Sequence, residues 1–224
     1  MPKRVAVLWT GGKDSCFVLH QMAAAGNEIQ LLATFVPKNT SFLAHPLAIM
    51  KAQAEALGVS HLEIPVEEPY REGYERGLRA LQEEHRIDAV TTGDISEVDG
   101  LPNWIRECSG SMGLEVITPL WGIDRFDHMR RLIEEGYDVL FSCVKHCWLA
   151  PEWTGRSLNM KWLDELGSVR KKNGLDLCGE QGEFHTLVTL APRFKQRIVL
   201  QRTSIESRAE FSFLRVGGVH LCIP

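Results

Sequence analysis

The residues with the most chemistry in them fall in two short stretches. Near the amino end stands Thr10-Gly11-Gly12-Lys13-Asp14-Ser15, and much later comes Gly179-Glu180-Gln181-Gly182-Glu183-Phe184-His185. In the first, adjacent glycines let the backbone take positive φ and approach a ligand closely. The N–H groups of such a turn, together with the first turn of a following helix, form an anion nest. Lys13 adds a full positive charge and Ser15 a hydroxyl donor. Asp14 suits a helix start and is a candidate magnesium ligand. The spacing is neither Gly-x-x-x-x-Gly-Lys-Ser/Thr nor Gly-x-Gly-x-x-Gly. A tight strand-to-helix turn that binds nothing is the ordinary alternative. Gly-Gly-Lys-Asp-Ser directly after a buried strand favours phosphate. In the second stretch, Glu180 and Glu183 flank a glycine in what must be a turn. A carboxylate there can bind a cation, hold ammonium, or take a proton from an attacking nitrogen. A solvated acidic turn is the ordinary alternative. His185 is either a general base or a structural strand histidine.

These residues need elements to position them. Residues 4–9 form a short apolar run ending at the glycines, which reads as a strand buried on both faces. A helix is expected over 14–25, with Phe17, Val18, Leu19 and Met22 at helical spacing and Gly26 as a stop. The pattern continues with a strand over 29–36, an Ala-rich helix over 46–57, a strand over 61–66, a charged amphipathic helix over 70–86, and a strand over 87–92. Strand and helix alternate with short connections. That predicts an α/β fold, a doubly wound parallel sheet with helices on both faces. Ligands in such sheets bind beyond the carboxyl ends of the strands, so 10–15, 35–42 and 93–97 should converge. After Gly122 the texture changes. A helix over 126–135, a strand over 137–144, an irregular stretch over 148–159 and a helix over 161–172 precede strands over 185–190, 194–206 and 210–223. The expected organisation is a nucleotide-sized domain over 1–122 and a smaller C-terminal α+β domain over 123–224.

The 224 residues carry a net charge of −4, with 44% hydrophobic and 24% charged side chains, which excludes a disordered chain. The acidic balance argues against nonspecific nucleic-acid binding, which requires a basic surface. No apolar run approaches the ~20 residues needed to cross a bilayer, and 5–9 is too short for a signal-peptide core. A cytoplasmic protein is expected, with no membrane and no nucleic-acid partner. The six cysteines are irregularly spaced and read as reduced, mostly buried thiols. Cys143 and Cys147 form a Cys-x-x-x-Cys pair with no second pair of zinc-ligand spacing. Arg130-Arg131 and Arg170-Lys171-Lys172 read as solvated helix faces, and Trp148, Trp153 and Trp162 as packing residues. Arg156 is kept as a candidate for bidentate binding of a carboxylate or phosphate.

The stretch 10–15 resembles the PP-loop of the ATP-pyrophosphatase superfamily, Ser-Gly-Gly-x-Asp-Ser, with Thr10 keeping the hydroxyl of the first serine. Along nearly its whole length the chain is similar to the diphthine–ammonia ligase family. The matching positions are Ser41-Phe42 with His45, Gln53 through Gly58, Thr92-Gly93, Pro119-Leu120-Trp121-Gly122, Trp153-x-Gly155-Arg156, Cys178 through Thr186, and Pro192-x-Phe194. The segment 94–104 and Gln181 depart from the family's pattern.

The resemblance implies an adenine-nucleotide α-hydrolase-like domain and an ATP-dependent amidoligase. Such an enzyme transfers AMP to a carboxylate, releases pyrophosphate, and lets ammonia displace AMP. It implies ATP and Mg²⁺ as cofactors, with Thr10, Gly11, Gly12, Lys13, Asp14 and Ser15 on the phosphates and Asp14 on the metal. Thr34, Phe35, Gly93 and Asp94 are expected near the adenine, and His45 at the nucleotide or its phosphates. Lys13, Glu180, Glu183 and His185 are the expected catalytic residues. The implied partners are ATP, ammonium, and a carboxylate substrate, either a translation elongation factor bearing diphthine or another acid; a homodimer is the assembly considered. Two other readings stay open: a PP-loop enzyme that thiolates tRNA, for which Cys143 and Cys147 would be required, and a noncatalytic ATP-binding sensor.

Overall fold

The computed structural model describes residues 1–38, 42–98 and 100–223. Ser41 and Asp99 therefore lie outside the described residues, as do Asn39, Thr40 and Pro224. Along the chain come β1 (Arg4–Leu8), α1 (Lys13–Ala24), β2 (Glu28–Pro37), α2 (Leu47–Leu57), β3 (Ser60–Val66), α3 (Tyr70–Glu83), β4 (Ala89–Thr91), α4 (Trp104–Ser109) and β5 (Glu115–Ile117). There follow α5 (Arg125–Glu134), β6 (Asp138–Lys145), a 3-10 turn (Pro151–Trp153), α6 (Met160–Asn173), β7 (Phe184–Leu190), β8 (Arg197–Arg208) and β9 (Phe211–Cys222).

The chain divides into two compact units. The first comprises Met1–Thr10, Asp14–Ser41 and Val59–Gly122; the second comprises Gly11–Lys13, Phe42–Gly58 and Ile123–Pro224. The change of unit at Gly122 falls where the composition shifts. Gly11–Lys13 and Phe42–Gly58, however, group with the C-terminal residues and not with the rest of 1–122.

The first unit holds a five-stranded sheet in the order β3-β2-β1-β4-β5, parallel throughout. This is the doubly wound α/β arrangement expected. β1 is central, so its side chains are covered on both faces, and Val5, Ala6 and Val7 are fully buried. Successive side chains point to opposite faces. Ala6 joins a core with Leu78 and Leu81 of α3 and Ile105 and Cys108 of α4. Val5 joins a separate cluster with Met22 of α1 and Ala89. Each large aliphatic side chain buried there contributes about 1.5–3 kcal/mol. Two elements escape the sequence reading. β5 has three residues and α4 six, too short for a periodic signal. The α4 start is nevertheless marked by Asn103, whose side chain accepts a bond from Arg106 N–H at 2.9 Å.

The second unit is built on a four-stranded sheet in the order β7-β6-β9-β8, antiparallel throughout. α2 packs on this sheet, with Ile49 in one cluster with Leu187 and Leu214. Trp153 and Trp162 pack as expected, whereas Trp148 lines a hollow in this unit. Phe141 meets Trp153 at 5.4 Å, Trp153 meets Trp162 at 5.6 Å, and the Arg156 guanidinium lies 3.9 Å from the Trp162 ring centre. Arg130 pairs with Asp127 and Glu134 on its own exposed helix face. Arg170, Lys171 and Lys172 are exposed in the last turn of α6, where cations complement the helix dipole. All six cysteines are free thiols. Cys147, expected to be buried, is exposed, because it follows the end of β6 in a turn. Cys143 lies inside β6, and burial pushes its thiol up to about 12.

Candidate functional site

Part of the expected site belongs to the second unit. β7 is an edge strand of its sheet, and its outer edge is occupied by the glycine loop: Val188 N–H donates to Gly11 C=O at 3.1 Å. Gln53, fully buried on α2, donates through Nε2 to both Gly11 C=O and Val188 C=O at 2.8 Å. Gly11 has φ +72°, and a Cβ there would run into the Gln53 amide. Only glycine fits.

Lys13 is buried, 3% exposed. Its N–H donates to Thr186 Oγ1 at 3.1 Å, and its ammonium donates to Cys178 C=O at 2.5 Å above the Phe184 ring. A buried ammonium needs such partners, because desolvation of an uncompensated charge is costly. Among the second unit's residues, the two stretches singled out in the sequence thus meet at Lys13.

The acidic turn assigns its two carboxylates different surroundings. Glu183 is 2% exposed, and its oxygens accept from Asp176 N–H and Gln181 N–H, each at 2.9 Å. Asp176 in turn accepts from Cys178 N–H at 2.7 Å and pairs with Arg125 at 3.3 Å. Glu183 therefore holds the turn that presents the Cys178 carbonyl to Lys13. Glu180 is half-buried on the same turn. A hollow of 260 Å³ in this unit is lined by Arg125, Trp148, Arg170, Asp176, Gln181 and Glu183, among others. His185 is half-buried, and its Nδ1 lies 3.2 Å from His45 Nε2. Burial first, and the Lys13 charge second, hold its imidazole below the ordinary 6.5.

The first unit carries the remaining candidates. Thr10 Oγ1 and Ser15 Oγ are 3.3 Å apart. Gly93 is packed against the start of α1: a Cβ there would sit 2.8 Å from the Asp14 carbonyl carbon and 2.9 Å from Ser15 N. The ends of β1 and β4 converge here as expected; 35–42 falls partly outside the described residues. Thr34 donates to Trp9 C=O at 2.7 Å and contacts His61 Nε2 at 2.8 Å. Phe35 is a core residue stacked on Tyr74 at 4.3 Å. Asp94 accepts from Thr92 Oγ1 at 2.7 Å and from the Asn103 amide. Among the described residues no three His, Cys, Asp or Glu side chains group as a metal centre. Magnesium is commonly held by one or two carboxylates plus substrate phosphates and water; the expected ligand Asp14 stands half-buried in the first turn of α1.

Sequence reasoning missed Gln53 and Thr186 as supports of the loop, and the Cys178 carbonyl as the partner of Lys13. A fully apolar-faced helix with one glutamine at its centre was the available signal for Gln53. A backbone carbonyl leaves no signal at all.

Comparison with known proteins bears on both units. The diphthamide synthase N-terminal domain model matches residues 3–115, and the diphthamide synthase C-terminal domain model matches residues 124–219. The chain belongs to the diphthamide synthase family. Relatives named diphthine–ammonia ligase include proteins from Rattus norvegicus, 25% identical, and Homo sapiens, 24% identical; each alignment spans 97% of this chain and 92% of the relative. One from Schizosaccharomyces pombe is 28% identical over 95% of this chain and 39% of its own length. Among solved structures, a "predicted subunit of tRNA methyltransferase" from Methanocaldococcus jannaschii superposes with a TM-score of 0.45 at 17% identity. It covers 86% of this chain and 98% of its own. No helix among the described residues is long and apolar enough to cross a membrane.

Proposed function

We propose that this member of the diphthamide synthase family is an ATP-dependent amidoligase acting on the carboxylate of diphthine on a translation elongation factor, with ammonium as nitrogen donor. The two family-model matches, which together cover both units, carry the reading. The buried lysine of the loop supports it, because a fixed cation with nearby backbone donors suits a departing pyrophosphate. The cytoplasm, where elongation factors work, is the compartment this implies.

A carboxylate resists ammonia because its oxygen is a poor leaving group. Transfer of AMP to that oxygen forms a mixed anhydride and releases pyrophosphate. Ammonia then attacks the carbonyl carbon, the bond to AMP breaks, and the amide remains. ATP is a substrate in this scheme. The loop 10–15 takes its phosphates: Lys13 supplies charge, Gly11 and Gly12 supply close backbone approach, and Thr10 and Ser15 supply hydroxyls. Asp14 is the residue that would hold magnesium, which would neutralise phosphate charge there. Gly93 and Asp94 at the end of β4, with the backbone at Thr34 and Phe35, accommodate the adenine; both of those side chains are engaged in packing or internal bonds. Glu183 is a positioning residue for the 178–183 turn. Glu180 and His185 are the groups that handle the nitrogen's protons. In this reading 1–122 supplies most of the nucleotide contacts and 123–224 the substrate side.

The test combines the purified chain with ATP, Mg²⁺, ammonium and a diphthine-bearing elongation factor. AMP is read by chromatography and the factor by intact mass spectrometry. The expected result is AMP together with the small mass decrease that accompanies replacement of OH by NH₂. Both should fall by about 10²-fold or more in Lys13→Ala. Absence of AMP from the unsubstituted chain would overturn the reading.

A further inference from the structure

Two histidines far apart in sequence meet in the second unit. His45 stands just ahead of α2, and His185 is the second residue of β7. His45 Nε2 lies 3.2 Å from His185 Nδ1, with the rings edge-to-face and their centres 5.0 Å apart. At that separation one nitrogen donates and the other accepts, so a single hydrogen sits between the rings. Both sequence neighbours of His185 touch Lys13: the Phe184 ring lies beneath its ammonium, and the Thr186 hydroxyl accepts its N–H. The other titratable neighbours are Cys143, the cross-strand partner of His185 on β6, and Glu183, two residues earlier, which is committed to two backbone N–H groups.

Building on the amidoligase reading, we infer that His185 and His45 act as one proton acceptor for the incoming nitrogen, His185 taking the proton at Nε2 while His45 accepts from its Nδ1–H. An orienting acceptor of this kind fixes the tautomer of a catalytic base and stabilises the imidazolium it becomes. Ammonium gives one proton to His185 Nε2 and becomes ammonia. The nitrogen lone pair forms the C–N bond to the acyl carbon, and the C–O bond to AMP breaks with its electron pair leaving on AMP. The nitrogen sheds a second proton to water as the amide forms. His45, read from the sequence as a nucleotide contact, becomes a positioning residue for His185.

Lys13 ties this acceptor to the nucleotide. Its ammonium opposes a second positive charge on His185. Phosphate charge held at the loop would offset Lys13 and let the pair accept a proton. The acceptor is thus readied when the loop is filled, before ammonia is needed.

Two measurements test the inference. Histidine ring signals of the full chain are followed by NMR against pH, with and without saturating pyrophosphate and Mg²⁺. The His185 midpoint should move upward with pyrophosphate, and His45→Gln should alter the His185 titration. A midpoint indifferent to both overturns the inference. ATP–pyrophosphate exchange and amidation are then compared at neutral pH in His185→Gln and His45→Gln. Amidation should fall by about 10²-fold for His185→Gln and less for His45→Gln, in each case at least about tenfold more than exchange. The loss should diminish as pH rises and ammonia arrives already deprotonated. An equal fall in exchange would make the pair a nucleotide contact and overturn the inference; so would unchanged amidation. Absence of exchange in the unsubstituted chain would instead overturn the amidoligase reading beneath it.

Discussion

The two units secure their loops by opposite means. In the second, Gly11–Lys13 is tied down by polar groups: the Gln53 amide, the Thr186 hydroxyl, the Cys178 carbonyl, and behind that carbonyl the Glu183 carboxylate. In the first, the constraint on Gly93 itself is steric, with the backbone of Asp14 and Ser15 where its side chain would be, while its neighbours Thr92 and Asp94 are hydrogen-bonded. A buried charge must be fixed by donors and acceptors, because solvation has been given up. A backbone that has to pass close to another needs only the absence of a Cβ. The first arrangement should therefore be sensitive to polarity at constant volume, and the second to volume at constant polarity.

Glu183→Gln breaks the polar arrangement most sharply. The amide is isosteric, but its NH₂ end faces an N–H group and leaves a buried donor unsatisfied. A loss of about 3 kcal/mol is expected, from urea unfolding with the slope unchanged. Glu180→Gln, on the same turn and half-buried, should lose far less; equal losses would mean that the turn does not depend on the inward carboxylate. Gly93→Ala tests the steric arrangement. The added methyl meets main-chain atoms, which cannot rotate away, so about 2 kcal/mol is expected from the same measurement. Gly93→Ser should behave like Gly93→Ala, since volume and not polarity decides there. If serine restored stability, the contact would have to be polar after all.

The same contrast explains what could be read in the sequence. The parallel sheet was legible because strands such as Arg4–Leu8, covered on both faces, appear as unbroken apolar runs followed by glycine-stopped helices. The loop 10–15 and the turn 178–183 were legible because glycine, lysine and glutamate carry their chemistry in their side chains. α4 and β5 were not, being shorter than one period of any pattern. The grouping of α2 with the antiparallel sheet was not legible either: an Ala-rich helix shows which face is apolar, but not which sheet covers it. Spacing likewise could not distinguish Glu180 from Glu183, because two carboxylates flanking a glycine look alike until one turns inward. Nor could it pair His45 with His185, which are far apart in sequence.

The third prediction uses acidity to weigh the same buried group of residues. His185 is held below its ordinary 6.5 by burial and then by Lys13. Above 6.5 both the folded and the unfolded chain carry it neutral, so it adds no pH dependence. As pH falls through 6.5 the unfolded chain takes the proton and the folded chain does not, so stability declines with pH. The decline from this group ends once the folded-state imidazole is protonated too. Thermal midpoints over about pH 5–8 should therefore fall more steeply toward acid in the unsubstituted chain than in His185→Gln. Parallel curves would show that the group's surroundings do not resist charge, and that Lys13 is not felt there.

The smallest effect is expected at Cys147, and it separates amidation from thiolation. Cys143 and Cys147 are close in sequence but differ in surroundings: one is inside β6 with its thiol pushed up to about 12, the other is exposed beyond the strand end. Thiol chemistry depends on the thiolate, which the first of these surroundings suppresses. Among the described residues, the Lys13 bonds to Thr186 and Cys178 and the Glu183 bonds to Asp176 and Gln181 do not involve Cys147. Cys147→Ser should therefore leave ATP-dependent amidation within about twofold and stability within about 0.5 kcal/mol, as surface substitutions do. A thiolating enzyme that relied on the pair would lose activity altogether with the same substitution. The exposed cysteine thus tests the whole reading from outside the polar arrangement: its loss should cost nothing if the nitrogen chemistry is handled at the histidines and the acidic turn.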